Sequence, residues 1–167
     1  SNTRGHIRKA EKMGVKVREL AKNELKIFKE ITEKTSKRRE FEDKPLSYYE
    51  EMYDLFVPRG EAMFLLAEVE VEGATSTSIP LSAAMFMLYG DEVVYLFSGS
   101  DEQYMKDYNA QYELQWHMIK YAAEKKFKRY NFYGIHGLPD DSQKDGVYEF
   151  KKGFGGQVLE YAGTWEL

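Results

Sequence analysis

The sequence predicts an α/β fold: a mixed sheet with helices packed on both faces. Two observations carry this. Three apolar segments between Ala62 and Ser98 are separated by turn signals, the pattern of strands that run back and forth. Amphipathic helical stretches precede them, and a helix–strand–helix–strand succession follows. The full order reads β-α-α-β-β-β-α-β-α-β.

Taken in order, residues 4–12 form a short basic helix end that Gly14 stops. Val15, Val17 and Leu20 give a brief strand over residues 14–20. Asn23 is suited to cap the next helix, which fades around residues 36–38. Leu25, Ile27, Phe28 and Ile31 stand three and four apart and share a stripe on it. Ser47, with Glu50 three positions on, reads as a capping box for a second helix. Tyr48, Met52, Leu55 and Phe56 are its expected buried face. Pro58-Arg59-Gly60 is a turn.

Strands are expected over residues 62–72, 79–89 and 92–98, the first apolar enough to be central. Residues 73–78 make a polar turn, and Gly90-Asp91 a tight hairpin. A long helix starts at Asp101 or Asp107 and ends near Lys126. A strand over 128–132 leads to a polar loop, and Asp145 is placed to cap a short helix over 146–152. Gly153 sits where a left-handed C-cap belongs, and residues 157–164 form the last strand.

A chain of 167 residues, 43% hydrophobic and 15% aromatic, supports one well-packed domain. It has no cysteine, which excludes disulfides, thiolate zinc sites and a cysteine nucleophile. No apolar run approaches the roughly 18 residues of a membrane span, so stable insertion is not expected. No secretory leader is legible, which makes the cytoplasm, or the inner face of its membrane, the expected location. Residues 1–40 carry 13 Lys and Arg against 6 Asp and Glu. That end is therefore strongly basic on an acidic body, a distribution that draws phosphates or carboxylates to one side. A solvated lysine-rich helix face accounts for it equally well.

Several residues have the chemistry of a site. Lys151 and Lys152 end the short helix, where cations suit the helix dipole. Tyr104 and Tyr108 lie four apart and could offer hydroxyls to a sugar, peptide or phosphate, although aromatic pairs at that spacing are more often core. Tyr133, beside Gly134, has the same ambiguity. His6, His117 and His136 show no metal-ligand spacing, and Asp140, Asp141 and Asp145 lack the calcium-loop pattern. His136 is a remote candidate for a general base.

Residues 130–135 (Tyr-Asn-Phe-Tyr-Gly-Ile) and 145–156 (Asp-Gly-Val-Tyr-Glu-Phe-Lys-Lys-Gly-Phe-Gly-Gly) resemble the Fem family of peptidoglycan aminoacyltransferases. Residues 8–15 resemble that family's link into its second acyltransferase-like domain, and residues 108–112 the start of that domain's long helix. The resemblance implies a GCN5-related N-acyltransferase-like fold. It divides the chain into a basic link, residues 1–13, from a missing first domain, and a single second domain, residues 14–167. It implies transfer of an amino acid from aminoacyl-tRNA to the stem peptide of a UDP-linked or lipid-linked muramyl peptide. No cofactor is implied beyond aminoacyl-tRNA as co-substrate.

In that setting Lys151, after Phe150, takes the transition-state role and Lys152 is the runner-up. Thr35-Ser36-Lys37-Arg38-Arg39 resembles the family's Thr-x-x-Arg, whose arginine helps hold the precursor's diphosphate. Arg38 fits that register, with Arg39 the alternative one residue on. Two departures stand out. Members of the FemA type carry a coiled-coil arm for tRNA, whereas residues 70–79 read as a plain hairpin. Acetyl-CoA enzymes of this fold carry a Gly-rich loop before the long helix, where this chain has Ser98-Gly99-Ser100-Asp101-Glu102-Gln103-Tyr104. One glycine, two acids and no arginine make a CoA site there an unfavourable reading. A CoA-dependent acyltransferase and a non-catalytic anion-binding module remain the alternatives.

Overall fold

The computed structural model describes residues 2–71, 77–135, 146–160 and 163. The chain divides into two compact units, one of Arg4–Tyr133 and one of Ser1–Thr3 with Gly134–Leu167. The elements in order are α1 (Thr3–Lys12), β1 (Val15–Glu19), α2 (Leu25–Arg39), α3 (Leu46–Phe56), β2 (Ala62–Val71), β3 (Thr77–Tyr89) and β4 (Glu92–Ser100). Then come α4 (Glu102–Tyr108), α5 (Ala110–Glu124), β5 (Arg129–Asn131) and α6 (Gly146–Lys152).

The five strands make one sheet in the order β1-β2-β3-β4-β5. The first three pairings are antiparallel and β4–β5 is parallel, so the sheet is mixed as expected. Gly90 turns the β3–β4 hairpin with a φ of 59°, a conformation that costs glycine nothing. β2 is buried almost throughout because both its faces are covered. Met63, Leu65, Ala67 and Val69 join a core with Ala10 of α1 and Ala110, Leu114, Met118 and Ala122 of α5. Ala62, Phe64 and Leu66 point the other way, into a core with Leu25, Phe28 and Ile31 of α2 and Tyr49 of α3. The period-2 alternation of a strand thus feeds two helical layers. Ile27, expected on the same stripe as Phe28, is only partly buried at the edge of that second core.

Several local expectations need correction. The helix before β2 begins at Leu46 with Pro45 at its N-cap, and no side chain caps it, so Ser47 lies inside the helix. Proline's fixed φ, here −65°, already suits that boundary. The buried face of α3 centres on Tyr49 at 1% exposure, not Tyr48, while Leu55 is 49% exposed. The cause is polar. Asp43 accepts hydrogen bonds from Tyr49 Oη at 2.6 Å, Thr32 Oγ1 at 2.9 Å and Lys29 Nζ at 2.8 Å, which draws Tyr49 inward. Burial pushes the Asp43 carboxyl up, but the bonds from Lys29, Tyr49 and Thr32 outweigh it and hold the group below its ordinary range.

Asn23 caps nothing: a 3-10 turn over Lys22–Glu24 precedes α2, and the Glu24 side chain accepts from Ala21 N at 2.9 Å. The expected long helix is two, α4 and α5, separated by Asn109 at φ 51°. Asp101 caps α4 by accepting from Gln103 N at 3.1 Å. Asparagine tolerates the left-handed region better than most residues, and here it breaks a helix that periodicity alone would continue. Gly153 is not left-handed. The chain winds on, with Gly153 N bonded to Glu149 O at 3.0 Å and Gly155 N to Lys152 O at 2.9 Å, and Gly155 takes the φ of +86°.

Residues 157–160 of the last expected strand are irregular, and Val158 and Leu159 are 49% and 70% exposed. Apolar residues become a strand only where a sheet edge pairs with them. The rest of that segment, apart from Gly163, lies outside the described residues, as do residues 73–76 of the polar turn, His136, Asp140, Asp141 and the proposed cap Asp145. No described helix is long and apolar enough to cross a membrane.

Glu113 of α5 is buried at 7% exposure, and its Oε2 has no hydrogen-bond partner among the described residues. Burial pushes its carboxyl up to about 7, Lys120 pulls it down and Glu11 of α1 pushes it up. From the ordinary value of 4.5 up to about pH 7, the folded chain keeps a proton that the unfolded chain has released. Stability therefore falls as pH rises through that window. Glu113→Gln is expected to abolish the fall and to stabilise the chain by about 1–2 kcal/mol at pH 8. Thermal midpoints measured against pH check this; parallel profiles for the two proteins would show that the carboxyl is not held neutral.

Candidate functional site

The candidate residues fall in both units. In the C-terminal unit, α6 is a seven-residue helix with Lys151 and Lys152 in its last turn. Lys151 is partly buried, and its Nζ donates to the carbonyl of Gly134 at 2.6 Å. That bond spans 17 residues of sequence and ties the end of the short helix to the backbone just after Tyr133 in sequence. Lys152 is exposed, with its Nζ 5.3 Å from the ring centroid of Tyr148, one turn back. The two neighbouring lysines are thus held differently, one on a backbone carbonyl and one over an aromatic face. Phe150 packs edge-on against Phe154 at 5.4 Å and stiffens the same turn.

In the larger unit, Arg38 occupies the last turn of α2, partly buried, with Nη1 3.5 Å from Met105 Sδ on α4. Arg39 is exposed. Met105 lies between Tyr104 and Tyr108, so Arg38 reaches the helix that carries both tyrosines. Those tyrosines pair edge-on at 6.1 Å and pack, partly buried, against the first core. What the structure shows of their rings is packing.

The join of β4 to α4 is held by contacts the sequence did not announce. Thr35 Oγ1 accepts from Ser100 N at 2.9 Å, and Ser82 and Ser100 share a hydroxyl contact at 2.9 Å. Lys34 Nζ meets Asp101 Oδ2 at 2.5 Å. Gly99 lies within β4 and lets the backbone of α2 approach; it does not belong to a loop. The amides of Ser100 and Gln103 are therefore already bonded to Thr35 and Asp101. A diphosphate placed at this helix start would meet committed donors and the Asp101 carboxylate, so the residues do not fit the CoA phosphates.

β5 pairs with β4 only over Glu92–Val94, and β4 runs on past it. Around that pairing Tyr95, Tyr130 and Phe132 form an aromatic cluster with Phe86. Tyr130 Oη donates to Gln115 Oε1 at 2.6 Å. Burial pushes both Tyr95 and Tyr130 up, so both stay protonated near neutrality. The next residue in line, Tyr133, is 60% exposed and has a φ of 63°. Its amide donates to Asn131 Oδ1 at 2.7 Å. Among the described residues no three His, Asp or Glu side chains converge on a metal site.

The FemAB family profile matches this chain over residues 1–77 and 70–167. The chain belongs to the FemAB family. Aminoacyltransferase FemA of Staphylococcus epidermidis is 29% identical over 217 positions, covering 96% of this chain and 52% of that protein. The crystal structure of FemX superimposes with a TM-score of 0.82 at 22% identity, over 93% of this chain and 53% of that one. The chain thus spans about half the length of the FemAB relatives it matches. A Trypanosoma brucei acetyltransferase shares the fold with a TM-score of 0.61 at 11% identity, over 99% of its own length. The GCN5-related architecture is therefore the fold of this chain.

The FemAB matches also bear on the β2–β3 hairpin. An alignment of 217 positions can hold at most the 167 residues of this chain, so at least 50 positions belong to FemA alone. The two profile segments overlap at residues 70–77, where the sequence passes from β2 to β3.

Proposed function

We propose that this chain is the second acyltransferase-like domain of a tRNA-dependent aminoacyltransferase. The complete enzyme moves an amino acid from aminoacyl-tRNA to the stem peptide of a UDP-linked or lipid-linked muramyl peptide. It thereby builds the interpeptide bridge of the cell wall from the cytoplasmic side. FemAB membership along the whole chain carries the reading. A first domain of similar fold supplies the other half, and residues 1–13 are the link to it. The isolated domain can then fold well and still lack transfer activity.

The reaction needs little from the protein beyond position and charge. The stem-peptide amine attacks the ester carbonyl, a C–N bond forms, and the ester C–O bond breaks as the ribose hydroxyl leaves with the proton lost by the amine. Negative charge develops on the carbonyl oxygen in between. Lys151, fixed on Gly134 at the end of α6, is the cation assigned to that oxygen. Lys152 is secondary, since its ammonium is engaged with Tyr148. Arg38, Arg39, Tyr104, Tyr108 and Tyr133 are assigned to the precursor. Arg38 is preferred over Arg39 for the diphosphate because contact with Met105 restrains its guanidinium, so less rotamer freedom is lost on binding.

Arg38→Ala in the full-length protein is expected to weaken binding of the UDP-linked muramyl peptide about tenfold or more, the loss of a charge-assisted pair. Calorimetric titration reads it. Unaltered affinity would make Arg38 an ordinary basic helix end, and heat on titration with CoA would favour a CoA-dependent acyltransferase instead.

A further inference from the structure

Tyr133 is a bulky residue in the left-handed region, where side chains other than glycine and asparagine are uncommon. Such strain persists only where neighbours impose it, and it concentrates at functional positions. Here the imposing group is visible: Asn131 Oδ1 accepts the Tyr133 amide at 2.7 Å, an Asx turn closing directly on the end of β5. The turn brings no compensating burial to the ring, which is 60% exposed. Tyr130 and Phe132, just before it, are held by the aromatic cluster, so the strain is not absorbed in packing Tyr133. The chain meets the cost of a left-handed tyrosine and keeps the side chain outside the core.

We propose that Asn131 is a positioning residue that holds Tyr133 ready for the neutral, amide- and hydroxyl-rich portion of the muramyl peptide. This rests on the precursor-binding reading above. An aromatic face with a hydroxyl at its rim suits sugar rings and peptide amides, and it brings no positive charge for the diphosphate. Asn131 touches no substrate; it acts through the backbone of Tyr133.

The signature is a trade of stability against binding. Tyr133→Asn tolerates the left-handed backbone, so it is expected to raise the thermal midpoint of the chain by about 2–4 °C. In the full-length protein the same variant weakens binding of UDP-linked muramyl pentapeptide about tenfold and leaves UDP binding unchanged. Asn131→Ala weakens the pentapeptide similarly but lowers the midpoint, and Asn131→Asp, which keeps the acceptor, restores both. A pentapeptide affinity equal to wild type in Tyr133→Asn overturns the inference alone, and so does a fall in its midpoint. Failure of the wild-type protein itself to bind the pentapeptide overturns the functional reading and this inference with it.

Discussion

Lys151→Ala in the full-length enzyme is expected to lower aminoacyl transfer by about 10²–10³-fold, the loss that follows removal of one preorganised donor to a developing oxyanion. The donor ester is already activated, so charge stabilisation and alignment carry most of the catalytic burden. α6 gives the lysine a short, stiff base: Phe150 packs on Phe154, and the ammonium is bonded to Gly134. The same bond complicates the variant, because removing it costs about 0.5–1.5 kcal/mol of folding stability. Lys151→Arg separates the effects. It keeps the charge and a donor but moves the centre of charge outward, so most of the lost stability is expected to return while transfer recovers only in part. Lys152→Ala, removing the ammonium over Tyr148, is expected to alter transfer by less than about threefold. Single-turnover rates with circular dichroism as the folding control decide among them. An unchanged rate in well-folded Lys151→Ala removes the catalytic assignment.

How much of this was legible in advance varies with the physics involved. The β2–β4 meander and the span of α6 follow from hydrophobic period and glycine position, and both stand where the sequence puts them. Both sheet faces being helix-covered follows from the continuous apolar run in β2. The details that differ share one origin, a local signal decided by a distant partner. Tyr49 rather than Tyr48 is buried because Asp43 and Lys29 await its hydroxyl side. Nothing in the spacing of α3 announces a carboxylate in the preceding connection. Asn109 divides α4 from α5 because it adopts a backbone that asparagine permits but does not require. Gly153 and Gly155 are both acceptable helix stops, and the hydrogen bonds that choose the later one form only after the helix has wound on.

The candidate site shows the same division. Lysines at the end of α6 could be read from charge and the helix dipole, but the tie to Gly134 could not, since it joins residues 17 apart in sequence, a spacing that no periodic pattern marks. The strained turn at Tyr133 had a legible hint: an asparagine two positions earlier is a turn-former, yet Asn131 closes a strand here. Thr35 and Lys34 lie within a basic helix end, where Arg38 and Arg39 are the residues whose chemistry suggests phosphate. Their actual work is to seat α2 on β4 and α4.

That seating makes Gly99→Ala the most damaging small substitution expected in the larger unit. A Cβ on Gly99 would lie 2.5 Å from Ile31 O, 2.7 Å from Ile31 C and 2.7 Å from Thr32 Cα. These are backbone atoms of α2, so no rotamer change relieves them, and the whole helix must move away from the sheet. Retreat of α2 lengthens the Thr35–Ser100 and Lys34–Asp101 contacts and opens the packing of Phe28 and Ile31 against β2. Overpacking of this kind costs about 3 kcal/mol. For a chain of this size that is a fall of roughly 6–12 °C in thermal midpoint. Gly146→Ala is the control, since its added Cβ meets nothing within 4 Å and alanine favours the helix it starts. Arg38 rides on the last turn of the displaced helix, so Gly99→Ala is also expected to weaken muramyl peptide binding at temperatures where the chain is still folded. A midpoint within 1–2 °C of wild type, about what a surface substitution gives, would mean that α2 does not rest on β4 at Gly99. The Ser100 amide would then not be committed to Thr35, and the start of α4 would have a donor free for a phosphate.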